Sequence, residues 1–301
     1  MQLTQIGQKP EWLKIRPPTT EQYSQLRQKI SGLKLVTVCQ EAHCPNMAEC
    51  WSGGTATFMV LGDTCTRGCR FCAIKTARKG QEVDEDEPRK LAEQIREMNL
   101  KYVVITSVDR DDLEDQGAGH FASCIREIKK LNPGMLVEVL TPDFRGRTDL
   151  MQKIIDAKPE VIAQNIETVK RLTHKVRDPR AGYEQTLKIL EFVKKTTPEI
   201  FTKSSIIAGF GETEQEVLET MGDLRKHGVQ ILTLGQYLQP SKNHFPLQEY
   251  VSPEQFEKYK QFALEKGFDF CASGPFVRSS YKAGELFVEN VLKKKNFGEL
   301  K

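Results

Sequence analysis

The chain has 301 residues, 44 lysines and arginines against 41 aspartates and glutamates, and a net charge of +3 with both signs interspersed. That balance gives no reason to expect nucleic acid or a charged membrane surface as partner. Apolar runs such as Phe58-Met59-Val60-Leu61 and Tyr102-Val103-Val104-Ile105 are far too short to span a bilayer.

The first ten residues, Met1-Gln2-Leu3-Thr4-Gln5-Ile6-Gly7-Gln8-Lys9-Pro10, are polar and lack the apolar stretch of a signal peptide. A cytoplasmic, reducing location is therefore expected, in which cysteines stay free of disulfides. Six of the eight cysteines fall into two triplets. Cys39, Cys44 and Cys50 read C-x4-C-x5-C, and Cys65, Cys69 and Cys72 read C-x3-C-x2-C. Three thiolates at the second spacing can hold three irons of a [4Fe–4S] cube and leave the fourth open to a small molecule. Zinc is the rival ligand. Structural zinc favours paired C-x2-C knuckles, and only Cys69 and Cys72 make one. Cys124 and Cys271 lie apart and read as small buried apolar residues.

From Thr55 onward, short β-rich runs alternate with longer amphipathic ones. Strands are expected at Ala56–Leu61, Tyr102–Thr106, Met135–Leu140, Val161–Asn165, Phe201–Ala208 and Gln230–Gly235. Helices are expected near Pro88–Met98, Ala118–Leu131, Thr148–Ala157, Tyr183–Lys195, Glu212–His227 and Pro253–Lys266, followed by a short apolar run, Phe268–Cys271. Pro88 and Pro253 suit first helical turns, and Gly228 and Gly267 suit helix stops. Six β units, each followed by a helix, imply a parallel sheet with right-handed crossovers. The fold class is α/β: a partial (β/α)6 barrel over 55–272, with a cysteine-bearing N-terminal extension (1–54) and a short C-terminal one (273–301).

In such barrels function gathers at the carboxyl ends of the strands. The second triplet follows the first strand through Gly62-Asp63-Thr64. Strand two ends in Ile105-Thr106-Ser107-Val108-Asp109-Arg110-Asp111-Asp112 and strand four in Gln164-Asn165-Ile166-Glu167. Strand three carries Glu138 among valines, where a charge needs a partner. The fifth runs through Lys203-Ser204-Ser205, and the sixth leads into Gly235-Gln236-Tyr237-Leu238-Gln239-Pro240. Polar groups are thus expected to converge on the rim that holds the cysteines.

At these residues the chain resembles the radical S-adenosylmethionine enzymes, whose cluster motif has an aromatic before the last cysteine; Phe71 fills that place. Within that superfamily it resembles the lipoyl synthase family, over nearly the whole chain. The likeness runs through Pro10-Glu11-Trp12-Leu13-Lys14, both triplets, Thr106–Asp112, Gly209-Phe210-Gly211-Glu212-Thr213, Leu234–Pro240 and Arg278-Ser279-Ser280-Tyr281. The resemblance implies insertion of two sulfur atoms at carbons 6 and 8 of an octanoyl chain amide-linked to a lysine of a carrier protein. Ordinary side chains cannot break such C–H bonds, so cofactor radical chemistry must. By the same resemblance Cys65, Cys69 and Cys72 hold the cluster that binds and cleaves S-adenosylmethionine. Cys39, Cys44 and Cys50 hold a second [4Fe–4S] cluster that is consumed as sulfur donor.

For that donor cluster's fourth ligand, ligand softness alone favours Cys271 or His43. The resemblance instead assigns Ser280, with Arg278 positioning or gating the segment. Thr106, Ser107, Glu138, Asn165 and Glu167 are candidates for the S-adenosylmethionine pocket, with Arg177 a partner for its carboxylate or else a surface charge. The resemblance further implies octanoylated carrier domains (2-oxo-acid dehydrogenase subunits or a glycine-cleavage carrier protein), reduced ferredoxin or flavodoxin as electron donor, and no nucleic acid or membrane partner. A tRNA methylthiotransferase would call for an added RNA-binding domain and a more basic chain. A metal-binding scaffold would not cleave S-adenosylmethionine.

Overall fold

A computed structural model describes residues 9–14, 55–98, 100 and 102–281. Strand β1 (Thr55–Val60) leads into the cysteine loop, which carries a two-stranded parallel ribbon, β2 (Thr64–Cys65) with β3 (Lys75–Thr76). Helix and strand then alternate through α1 (Glu87–Glu97), β4 (Tyr102–Ser107), α2 (Ala118–Leu131), β5 (Leu136–Leu140), α3 (Thr148–Ile155) and β6 (Val161–Ala163). The second half holds α4 (Thr173–Val176), α5 (Tyr183–Thr196), β7 (Phe201–Ala208), α6 (Glu214–Lys226), β8 (Ile231–Gln236), α7 (Pro253–Glu265) and β9 (Phe270–Gly274). None of the described helices is long and apolar enough to cross a membrane.

Seven strands form one sheet in the order β1-β4-β5-β6-β7-β8-β9, with every neighbouring pair parallel. The strands β1 and β9 do not pair, so the barrel is partial. This sheet has one strand more than the sequence suggests. The short run after α7 becomes β9 by pairing Phe270 with Ile231 through Gly274 with Gly235, which spares β8 an open edge. Local signals set the helix ends. Thr213 and Glu216 make a reciprocal capping box on α6, Ser252 caps α7 ahead of Pro253, and Gly228 and Gly267 take left-handed φ of 82° and 86°.

Two large apolar clusters contain Cys124 and Cys271, which are fully buried. Core packing therefore occupies Cys271, the thiol that softness favoured as an iron ligand. A third cluster joins Tyr102, Val161, Phe201 and Ile231, the first residues of β4, β6, β7 and β8, and closes the amino end of the barrel.

Just above this floor lies Glu138, and here the structure corrects the expectation that it serves the cofactor pocket. Its two oxygens accept from Lys203 Nζ and Tyr102 Oη, each at 2.7 Å, and both members of the ion pair are buried. The barrel interior itself supplies the partner that burial demands. Lys203, Ser204 and Ser205 likewise lie mid-strand in β7, which runs on to Ala208, and not on the rim. Glu138→Leu should cost about 3 kcal/mol, because it strands a buried ammonium, while adding Lys203→Met should recover most of the loss. Urea unfolding of the metal-free chain checks this; an additive double mutant would refute it.

Candidate active site at the carboxyl rim

The cysteine loop starts with a turn that sequence pattern does not announce. Leu61 adopts a left-handed φ of 67°, and its N–H donates to Glu87 Oε2 at 3.0 Å. His120 Nε2 lies 2.6 Å from the same oxygen. Cys124 also lies near this pair, with ligand atoms of all three within 4.8 Å of one another. Glu87 is thereby engaged in anchoring the root of the loop.

Farther along, Thr66 N and Oγ1 both donate to the Asp109 carbonyl at 2.9 Å, tying the loop to the end of β4. Gly68 N donates to Asp178 Oδ2 at 2.8 Å and Arg70 N to the Val176 carbonyl at 2.8 Å, tying it to the end of α4. Between Cys65 and Cys69, the Arg67 guanidinium turns inward and bonds Asp111 at 2.8 Å and Asp143 at 2.7 Å, with Asp109 at 3.3 Å. The three thiols are thus carried on a loop fixed at several points.

Burial pushes the thiols of Cys65 and Cys69 up to about 12, and that of Cys72 upward as well. They stay protonated until a metal supplies positive charge in place of the water that burial has removed. Backbone donors already point at two of the sulfurs: Arg67 N lies 3.4 Å from Cys65 Sγ, and Asp178 N 3.3 Å from Cys69 Sγ. Such N–H···S bonds stabilise thiolate charge in iron–sulfur sites and tune their potentials.

The cysteines line a cleft together with Phe71, Thr106, Ser107, Asn165, Glu167 and Arg177. Six of the seven expected cofactor residues are therefore brought to one place, Glu138 being the exception. Arg177 is buried rather than a surface charge; its Nη1 donates to Thr186 Oγ1 at 3.1 Å. Glu167 has a left-handed φ of 66°, and burial, opposed by the Arg177 charge, raises its carboxyl. The Thr106 hydroxyl is spent on the Leu140 carbonyl at 3.1 Å.

Four other buried polar atoms of the lining lack a protein partner: Ser107 Oγ, Asp143 Oδ2, Asn165 Oδ1 and Arg177 Nε. Orphaned groups are costly, so their gathering here marks a binding surface for something polar. Asp143 is a residue that sequence reading missed. It lies three positions beyond β5, where the same strand-end rule applies.

Arg278 and Ser280 follow β9 as half-buried residues outside the cleft lining. Gly235 makes room for that segment, since a Cβ there would lie 2.0 Å from the Val277 carbonyl oxygen. Cys39, His43, Cys44 and Cys50 lie outside the described residues.

Residues 59–224 match the family model of the radical SAM superfamily, and residues 2–44 match the N-terminal domain of lipoyl synthase. The lipoyl synthase of Halobacterium salinarum is 58% identical over 291 residues, 95% of this chain and 93% of that one. The chain belongs to the lipoyl synthase family. A Thermus thermophilus lipoyl synthase is 56% identical over 281 residues, covering 93% of this chain and 87% of its own. Among solved structures, methylornithine synthase (PylB) superposes with TM-score 0.54 at 11% identity, over 70% of this chain and 62% of its own. Streptococcus suis SuiB bound to S-adenosylmethionine gives TM-score 0.54 at 8% identity, over 83% and 59%. These two share the fold. As a lipoyl synthase of the radical SAM superfamily, the chain has a [4Fe–4S] cluster and S-adenosylmethionine as its implied cofactors. Three thiols on one loop and four orphaned polar atoms around the same cleft fit both groups.

Proposed function

We propose that this chain inserts sulfur at carbons 6 and 8 of an octanoyl group carried on a lysine of a lipoyl carrier protein, with the cleft at the carboxyl rim as its radical centre. The observation that carries the reading is the meeting of the three loop cysteines with unpartnered Ser107, Asn165 and Arg177 atoms in one cleft. A cluster and S-adenosylmethionine bound there supply hydrogen abstraction from unactivated carbon, which no acid or base in the cleft can perform. Arg177 is suited to the methionine carboxylate, because a buried guanidinium with an open Nε–H pairs bidentately with such a group. Ser107 and Asn165 offer hydrogen bonds to the remaining polar parts of the ligand. Phe71 would pack against it from the loop. The chain's own work is to bind, orient and exclude water.

Cys39, Cys44, Cys50 and Ser280 would hold the second, sulfur-donating cluster, with Arg278 placing the segment that bears Ser280. A hydroxyl is a weaker ligand than a thiolate for such iron and suits a cluster that must come apart. Octanoylated carrier domains and a reduced ferredoxin or flavodoxin complete the system. Anaerobic reconstitution should give about eight irons per chain, two cubes of four. With reductant, S-adenosylmethionine and an octanoyl-lysyl peptide, mass spectrometry of the lysine should show a lipoyl group. A preparation that makes neither that product nor deoxyadenosine would overturn the reading.

Ser280→Ala should leave deoxyadenosine formation intact and lower thiolated product by about 10- to 100-fold, the range for weakened metal-site support. If Ser280 merely caps a helix, the change costs about 1 kcal/mol of stability and product forms at the normal rate. That result would remove Ser280 from the ligand set.

A further inference from the structure

The cysteine loop is met from across the open side of the barrel by the segment that leaves β8. Phe245 N donates to the Arg70 carbonyl at 2.7 Å, and the His244 ring places Nε2 at 3.0 Å from the Cys72 carbonyl oxygen. The other ring nitrogen, Nδ1, lies 2.8 Å from Ser241 Oγ. Tyr237 Oη donates to the Phe245 carbonyl at 2.7 Å, and Gln239 Nε2 to the His244 carbonyl at 3.2 Å. The Arg70 guanidinium sits 5.1 Å over the Phe245 ring, and Phe210 packs edge-on against both Phe71 and Phe245. Residues 237–245 therefore strap two carbonyls of the C-x2-C turn, those of Arg70 and Cys72, to the opposite flank of the sheet.

The hydrogen-bond chemistry fixes the tautomer. A backbone carbonyl only accepts, so His244 Nε2 must carry a proton. In the neutral ring Nδ1 is then an acceptor, and the Ser241 hydroxyl donates to it. Ser241 Oγ in turn accepts from Asn243 N at 3.3 Å. The chain of donors runs one way, from Ser241 through His244 to the backbone of a cluster cysteine.

We propose that His244 is a positioning residue for the radical centre, holding the Cys72–Ala73 peptide in register so that the Cys72 thiolate and the neighbouring Phe71 ring are correctly placed in the cleft. This rests on the reading that Cys65, Cys69 and Cys72 carry the cluster. The His244 ring bonds one backbone carbonyl and the exposed Ser241 hydroxyl, in a partly exposed place, so its loss should leave global stability nearly unchanged. The geometry of Cys72 is what it governs, and small displacements at a reacting centre are costly.

The test compares the reconstituted full chain with His244→Leu, His244→Gln and Ser241→Ala. In His244→Leu, kcat for deoxyadenosine formation should fall about 3- to 10-fold, the factor equivalent to one lost hydrogen bond, and the change in the cluster's EPR signal on adding S-adenosylmethionine should be altered. Urea midpoints should match wild type. His244→Gln, whose amide N–H can reach the same carbonyl, should restore most of both readouts, and Ser241→Ala should fall between. A His244→Leu enzyme with wild-type kcat and EPR response would overturn the proposal. So would a His244→Gln enzyme no better than His244→Leu, which would mean that ring packing matters rather than the donated bond. A wild type that binds iron but shows no EPR response to S-adenosylmethionine would overturn the cluster reading itself, and the strap with it.

Discussion

Cys69→Ala should abolish deoxyadenosine production altogether, while Cys44→Ala should keep it and lose only the thiolated product. The structure says why the first loss is complete. Burial pushes the free Cys69 thiol up to about 12, but its Sγ accepts the Asp178 N–H at 3.3 Å and feels the Arg177 charge, so once metal offsets burial the site supports a bound thiolate there. No spare thiol is available to replace it among the described residues. Cys124 and Cys271, the remaining two outside the loop, are locked in apolar clusters. Three ligands hold a cube with one open iron; two leave it poorly held and without its defined open corner. Cys44 belongs to the other triplet, whose proposed part is sulfur donation alone. Deoxyadenosine measured by chromatography and the peptide lysine by mass separate the two outcomes. Residual cleavage in Cys69→Ala above the metal-free background would refute the ligand assignment.

How far the sequence carries depends on whether the information is local. Periodicity with proline and glycine punctuation places α2 at Ala118–Leu131 to the residue, and the other five long helices to within two residues at either end. The second triplet is legible because its three cysteines lie within one loop. The seventh strand is not, because Phe270–Gly274 is short and earns its state by pairing with β8. Glu138 shows the same limit from the other side. Its charge stands out among valines, yet its partner Lys203 is 65 positions away, so the residue reads as cofactor-binding when it is an internal ion pair. The carboxyl-end rule leads to Thr106, Ser107, Asn165 and Glu167, which line the cleft because strand topology alone puts them there. It is silent on Arg67 and His244, whose roles come from long-range bonds between loops.

Arg67→Met should be the most destabilising single change on the rim, by about 3–5 kcal/mol in the metal-free chain. The guanidinium is 2% exposed and lies within 2.7–3.3 Å of Asp109, Asp111 and Asp143. Burial, opposed by the Arg67 charge, pushes the Asp109 carboxyl up to about 6. Burial also pushes Asp111 upward, but hydrogen bonds and charge from Arg67 and then Arg145 outweigh it and hold that carboxyl below its ordinary range. Methionine fills much of the space but leaves the carboxylates facing one another. The folded-state values of Asp109 and Asp111, both held down by Arg67, must then rise, and the sign of the pH dependence follows. A raised carboxyl binds its proton more tightly in the folded chain, so the variant is relieved as pH falls and penalised as pH rises. In the wild type Asp111 acts the other way, contributing stability above its unfolded value and losing it on acidification. The deficit of Arg67→Met should therefore be largest near about pH 8 and shrink toward about pH 5, where the variant's further-raised carboxyls gain more from protonation than Asp109 alone gains in the wild type, and Asp111 still holds its wild-type contribution. Urea unfolding at the two pH values decides it. A deficit that widens on acidification, or one absent at both, would show that the three carboxylates do not depend on Arg67.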